Sequence, residues 1–259
     1  MATLSGAVNG FRPSSSAFHF LNNWPDVPLF PIKLGTLTIP IGTARGGLCG
    51  GMAFAVRDFW QAGVAIPTAS DCPTADTPLY EYLVKRLWES WDVPMGPLKY
   101  FSLMDPGTGS GLVQTLLQAL RVVLPTGWAP QQGRASIMIG TEWPKVKEDL
   151  NRNRLSALGL VKILSDNPLD LGHNHQVLAY AYELKDDDLT LHLYDPNLPD
   201  RDDISLSLNI SQPDQAPPVH YHSPAVPEET VYCFFRSNYQ YRPPWKKVSS
   251  PITQMRSRV

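Results

Sequence analysis

Two periodicities divide the chain near residue 155. Before it, apolar positions recur every three or four residues. Met52, Ala55, Val56, Phe59 and Trp60 share one face of a helix expected over 48–62, with Gly63 placed to end it. Leu79, Leu83 and Leu87 predict a second helix over 78–91, with Thr77 as N-cap and Pro78 in the first turn. Leu112, Leu116, Leu120 and Val123 predict a third over 110–124, stopped by Pro125. A shorter one is expected from Pro144 to about Asn153.

After residue 155 the period falls to two. Strands are expected over 158–164, 176–184, 189–194, 204–210 and 231–236. Asp186-Asp187-Asp188 reads as a solvated hairpin turn, because a calcium loop needs more oxygen ligands at regular spacing. The Pro-rich stretch 211–229 reads as a loop. Residues 1–47, broken by Gly and Pro, read as an extended N-terminal wrap. The expected class is α+β: a helical lobe (48–155) and an antiparallel β lobe (156–259) in a single domain spanning 1–259, with a cleft between the lobes.

Composition narrows the function classes. The chain has 259 residues, 43% of them hydrophobic and 18% charged, which fits a globular protein with a sizeable core. The formal net charge is −2 and no basic stripe is present, so nucleic acid is not expected as a partner. No apolar run is long enough to span a bilayer. No basic and apolar leader opens the chain, which points to the cytoplasm or to export without a cleavable signal peptide. Three cysteines are too few for a disulfide framework.

Cys49 opens the first helix in Gly46-Gly47-Leu48-Cys49-Gly50-Gly51-Met52. A helix N-terminus favours a thiolate, which is the nucleophilic form. Gly50 and Gly51 each cost about 1 kcal/mol of helix propensity relative to Ala, so close backbone approach is expected there. Cys72, in a loop, and Cys233, in an apolar strand pattern, read as structural. His175 begins the strand Gln176-Val177-Leu178-Ala179 and is the favoured base; His173, two residues earlier, is its rival. Tyr194-Asp195-Pro196-Asn197 closes the next strand, where either Asp195 or Asn197 can orient the ring. A metal site built on His173, His175 and a carboxylate, with His220 and His222, lacks an assignable third donor, and no metal or cofactor is expected.

Leu48-Cys49-Gly50-Gly51-Met52, Asn174-His175-Gln176-Val177 and Tyr194-Asp195-Pro196-Asn197 resemble the motifs of the papain-like cysteine peptidase superfamily. The Asp-Pro pair is closest to its bacteriocin-processing, peptide-exporter-type branch. The histidine and the Asp/Asn pair also follow the cysteine at roughly the interval of about 130–150 residues found in papain and the cathepsins. The resemblance implies a papain-like fold, a peptide or amide substrate, Cys49 as nucleophile, His175 as base and Asp195 as orienter. One position departs from the pattern. Such peptidases carry a Gln about six residues before the cysteine to bind the oxyanion, and here Thr43 stands there. Thr43, Arg45, Asn22 or Asn23 is the expected replacement, beside the Cys49 N–H. The same departure keeps open a non-catalytic or acyl-transferring module of the same fold, a binding or toxin-associated one. Substrate specificity and oligomeric state are not legible.

Overall fold

A computed structural model describes residues 3–24, 28–34, 37–43, 47–106, 133–215 and 217–244, the two strands over 28–43 by their backbone alone. The helix expected over 110–124 lies outside the described residues, as does Arg45. The class is α+β, with helices packed on a curled antiparallel sheet.

The sheet contains eight strands: β1 (Thr3–Ala7), β4 (Ser156–Val161), β5 (His175–Lys185), β6 (Asp188–Tyr194), β7 (Ser205–Asn209), β8 (Val219–His222), β9 (Glu229–Val231) and β10 (Cys233–Arg236). A separate hairpin joins β2 (Pro28–Leu34) to β3 (Leu37–Thr43). Strand order is β10-β4-β5-β6-β7-β8-β9. The chain passes directly from β9, which pairs with β8, to β10, which pairs with β4. One short stretch therefore binds both ends of the sheet and curls it. β5 is long enough to pair with β4 through its first half and with β1 through its second.

The structure departs from the sequence pattern at several points. The 231–236 strand is interrupted at Tyr232, whose N–H donates to Val161 O at 2.8 Å. The 158–164 strand ends at Val161, because the Lys162 N–H is taken by Asn174 Oδ1 at 3.1 Å instead of a ladder partner. The N-terminal segment is more than a wrap: β1 is a full strand paired to β5, followed by a single helical turn, α1 (Pro13–Ser16). The stretch 211–229 is not all loop, since it contains β8. Asp186 turns the β5–β6 hairpin as expected, at φ 54°.

Helix α2 (Cys49–Gln61) packs on β5 and on α3 (Pro78–Ser90). Thr77 caps α3, its Oγ1 accepting from Tyr80 N–H at 3.3 Å. Gly63 follows α2 at φ +62° and donates to Trp60 O at 3.0 Å. α4 (Met95–Met104) was not anticipated, because Pro94, Gly96 and Pro97 mask its periodicity. A π-helical run, Ser136–Glu142, leads into α5 (Trp143–Asn151). Met52, Phe54, Val56 and Phe59 on α2 are buried with Leu83 and Leu87 on α3 and Val177 on β5. Each such side chain contributes about 1.5–3 kcal/mol when fully buried. That core fixes the N-terminus of α2 against the start of β5.

Candidate active site

Cys49 is the first residue of α2, and His175 is the first residue of β5. Asp195 directly follows Tyr194, the last residue of β6. Because β5 and β6 are antiparallel hairpin partners, the end of β6 returns beside the start of β5. The three expected residues meet there. His175 Nε2 lies 2.8 Å from Asp195 Oδ1, which leaves Nδ1 for the Cys49 thiol. All three side chains are buried, with residue exposures of 8%, 7% and 3% for Cys49, His175 and Asp195.

The electrostatics follow from that contact. Burial alone would lower the pKa of His175. The Asp195 carboxylate, then the charge on Cys49, then hydrogen bonds to both outweigh it and raise the imidazole from 6.5 to about 10. Burial alone would raise Asp195. The His175 charge and hydrogen bond, together with donors from Tyr221 and the Asn197 backbone, outweigh it and hold the carboxyl below its ordinary value. The site therefore favours an imidazolium on His175 beside the Asp195 carboxylate.

Both oxygens of Asp195 are occupied. Oδ1 also accepts the Asn197 N–H at 2.7 Å, and Oδ2 accepts the Tyr221 hydroxyl at 2.7 Å. Of the two candidates, Asp195 is the one whose side chain contacts the His175 ring. Asn197 supports the carboxylate through its backbone, and its side chain faces elsewhere, Oδ1 accepting from Asn22 Nδ2 at 2.8 Å. Tyr221 was missed in the sequence. The signal was the alternation Val219-His220-Tyr221-His222, whose first and third residues are buried.

His173 does not join the three. It ends a 3-10 turn, Pro168–His173, with its side chain largely exposed and 3.6 Å from Asp170. His220 and His222 lie on β8, engaged with Glu228 and Ser207. Among the described residues no three metal-ligating side chains converge. Thr43 ends β3, its side chain outside the described set.

Asn22 takes a different place from the one expected. Its Oδ1 accepts the Leu48 N–H at 2.7 Å, its own N–H donates to Pro196 O at 3.0 Å, and Nδ2 holds Asn197. It clasps the residue before the cysteine to the turn after Asp195. Asn23 is used through its carbonyl, which accepts from the Cys72 thiol at 3.4 Å. Gly47 sits at φ +84°, and a Cβ there would fall 2.3 Å from Asn22 Nδ2. Gly50 is approached by Ser90 and Gln176, and Gly51 by the Leu83 carbonyl, so both glycines admit neighbouring side chains and helix α3. Open space of about 490 Å³ adjoins His175, walled by Asn22, Asn23, Gly47, His173 and Asn197. A smaller recess of about 130 Å³ also borders His175, beside Asp195 and Tyr221.

No family model, curated protein or solved structure matched the chain in comparison.

Proposed function

We propose that the chain is a papain-like thiol hydrolase that cleaves peptide or other amide bonds through Cys49, His175 and Asp195. The observation that carries this reading is the His175 ring held between the Cys49 thiol and the Asp195 carboxylate at the N-terminus of a helix. Helices packed against a curled antiparallel sheet, with the cysteine on a helix and the histidine on a strand, fit the papain-like arrangement.

In this reading His175 takes the thiol proton, and the thiolate attacks the substrate carbonyl carbon. The Cys49 N–H, at the free end of α2, donates to the developing oxyanion. The His175 imidazolium gives its proton to the leaving amine, leaving a thioester on Cys49. His175 then deprotonates a water that hydrolyses the thioester. Asp195 holds the ring's tautomer and orientation throughout. The open space beside His175 receives the substrate. Free thiols at all three cysteines suit a reducing cytoplasm.

A second reading, acyl transfer or binding without turnover in the same fold, is favoured by one observation. The Asn22 amide, one of the candidates to replace the missing Gln, is engaged with Leu48 and Asn197. Iodoacetamide at neutral pH tests the nucleophile: fast alkylation confined to Cys49 is expected, and slow, equal alkylation of all three cysteines would refute it. Turnover on a panel of peptides and amides, with and without added amine acceptors, separates hydrolysis from transfer.

A further inference from the structure

The glycines of the site have different reasons to be there. Gly47 is held at φ +84°, and Gly50 and Gly51 are packed against Ser90, Gln176 and the Leu83 carbonyl. Gly172 has neither reason. Its φ lies outside the left-handed region, and a Cβ built on it would meet no atom of the described residues within 4 Å. Nor does its turn need a flexible joint. Asn167 Oδ1 accepts the Leu169 N–H at 3.1 Å, and Asp170 Oδ2 accepts the Ser165 hydroxyl at 2.6 Å. Asn174 braces the other end, Nδ2 donating to Leu171 O and Oδ1 accepting the Lys162 N–H, both at 3.1 Å. An alanine at 172 would restrict the unfolded chain without straining the folded one. A glycine in such a place marks close approach by another group.

Gly172 lines the open space of about 490 Å³ beside His175, and the chemistry of that wall narrows what approaches. Among the described residues the wall carries no carboxylate and no Phe, Tyr or Trp, and Leu21 is its one large apolar side chain. Its cationic groups are matched from behind: Lys162 pairs with Glu229 at 2.6 Å, and His173 lies 3.6 Å from Asp170. Such a wall selects neither a charged side chain nor a bulky apolar one. Four asparagines make up much of the rest. Asn22 and Asn174 are engaged within the fold. The Asn23 side chain and Asn197 Nδ2 have no hydrogen-bond partner among the described residues. A peptide main chain, with one donor and one acceptor per residue, complements free carboxamides.

We propose that Gly172, Asn23 and Asn197 form a subsite that reads the main chain of an extended peptide substrate, with Gly172 setting how large a side chain is admitted there. The proposal rests on the reading of Cys49 and His175 as the reacting pair. Main-chain hydrogen bonds supply affinity without regard to sequence, as they do where a peptide adds to a strand edge. Selection at this position is therefore by backbone and by small size, and not by side-chain charge.

Protection of Cys49 from iodoacetamide by penta-alanine tests this in the full chain. That peptide has a full set of main-chain groups and only methyl side chains. Each variant is compared with its own alkylation rate in the absence of peptide. Saturable protection is expected in the unsubstituted chain. Half-protection should need about tenfold or more peptide in Gly172→Leu, whose side chain fills the approach, and about threefold or more in Asn23→Ala. Thermal melts of Gly172→Leu should be undiminished, since no atom of the described residues obstructs the new Cβ. Maltotriose, neutral and rich in hydroxyls but without amides, should not protect. Fast alkylation of Cys49 with no protection by penta-alanine, equal protection by maltotriose, or undiminished protection in Gly172→Leu or Asn23→Ala would overturn this inference and leave the nucleophile standing. A collapsed melt of Gly172→Leu would make Gly172 a structural glycine and overturn it equally. Slow, equal alkylation of all three cysteines would overturn the underlying reading, and this one with it.

Discussion

The Tyr221 hydroxyl donates to Asp195 Oδ2 at 2.7 Å while His175 Nε2 holds Oδ1 at 2.8 Å. The carboxylate is thus gripped from two strands, β5 and β8, and its plane is fixed relative to the imidazole. Hydrogen bonds to a charged group contribute about 1.5–3 kcal/mol. Tyr221→Phe keeps the ring and removes only that donor. The expected outcome is a folded protein, destabilised by about that amount, with turnover reduced roughly tenfold or more and little change in KM. Urea melts and steady-state kinetics check it. A variant with full turnover would show that Tyr221 has no part in holding Asp195.

Cys49→Ala should leave the fold intact and abolish amide cleavage. Alanine is a good helix former, and the side chain removed is small. No other described cysteine can substitute: Cys72 donates to Leu21 O at 2.8 Å, and burial pushes the Cys233 thiol up to about 12. Thermal melts and turnover on peptide substrates decide this. Undiminished turnover would refute the nucleophile, and a collapsed melting temperature would make Cys49 a structural residue.

Asn22 and Gly47 should be energetically coupled. Gly47→Ala meets two obstacles: a left-handed backbone at φ +84° and the Asn22 Nδ2 atom 2.3 Å from the new Cβ. The first costs about 1–2 kcal/mol by itself. The second vanishes if Asn22 is shortened. A double-mutant cycle with Asn22→Ala should therefore be less than additive by about 0.5–3 kcal/mol. Additive losses in denaturant melts would mean that the clasp does not bear on Gly47.

The parts of this site legible in the sequence were those lying on strongly patterned elements. Cys49 could be placed because the apolar face from Met52 to Phe59 left only one reading for its helix, and the core residues there are buried. His175 and Asp195 could be placed because two regular strands and a short hairpin bring their positions together. Tyr221 sits on a four-residue strand inside a Pro-rich stretch, where turn residues outweigh so short an alternation. Asn22 is a candidate oxyanion donor by sequence, but its partners Leu48, Pro196 and Asn197 are remote along the chain, and no local pattern encodes that clasp. Helix α4 was hidden by the residues that cap and enter it, Pro94, Gly96 and Pro97.

The pH dependence of the site separates Asp195 from Asn197. The His175 value of about 10 lies above its ordinary 6.5, chiefly because the Asp195 and Cys49 charges overcome burial. A group raised on folding adds stability that is fully present below its unfolded value and fades as pH rises through the folded one. The stabilisation from His175 should therefore be complete below about 6.5 and lost on approach to about 10. Turnover needs the imidazolium as general acid, so the alkaline limb of kcat/KM should follow the same loss of the proton. Asp195→Asn removes the first of the two raising charges and should draw that limb down toward neutrality. It should also lower turnover on the order of 10²–10⁴-fold, as the ring loses its orienting partner. Asn197→Ala keeps the backbone N–H that Asp195 accepts and should leave the limb in place. Nuclear magnetic resonance titration of the His175 ring in both variants, alongside pH–rate profiles, measures the two effects directly. An unmoved limb in Asp195→Asn, or a larger shift in Asn197→Ala, would make Asn197 the orienting residue.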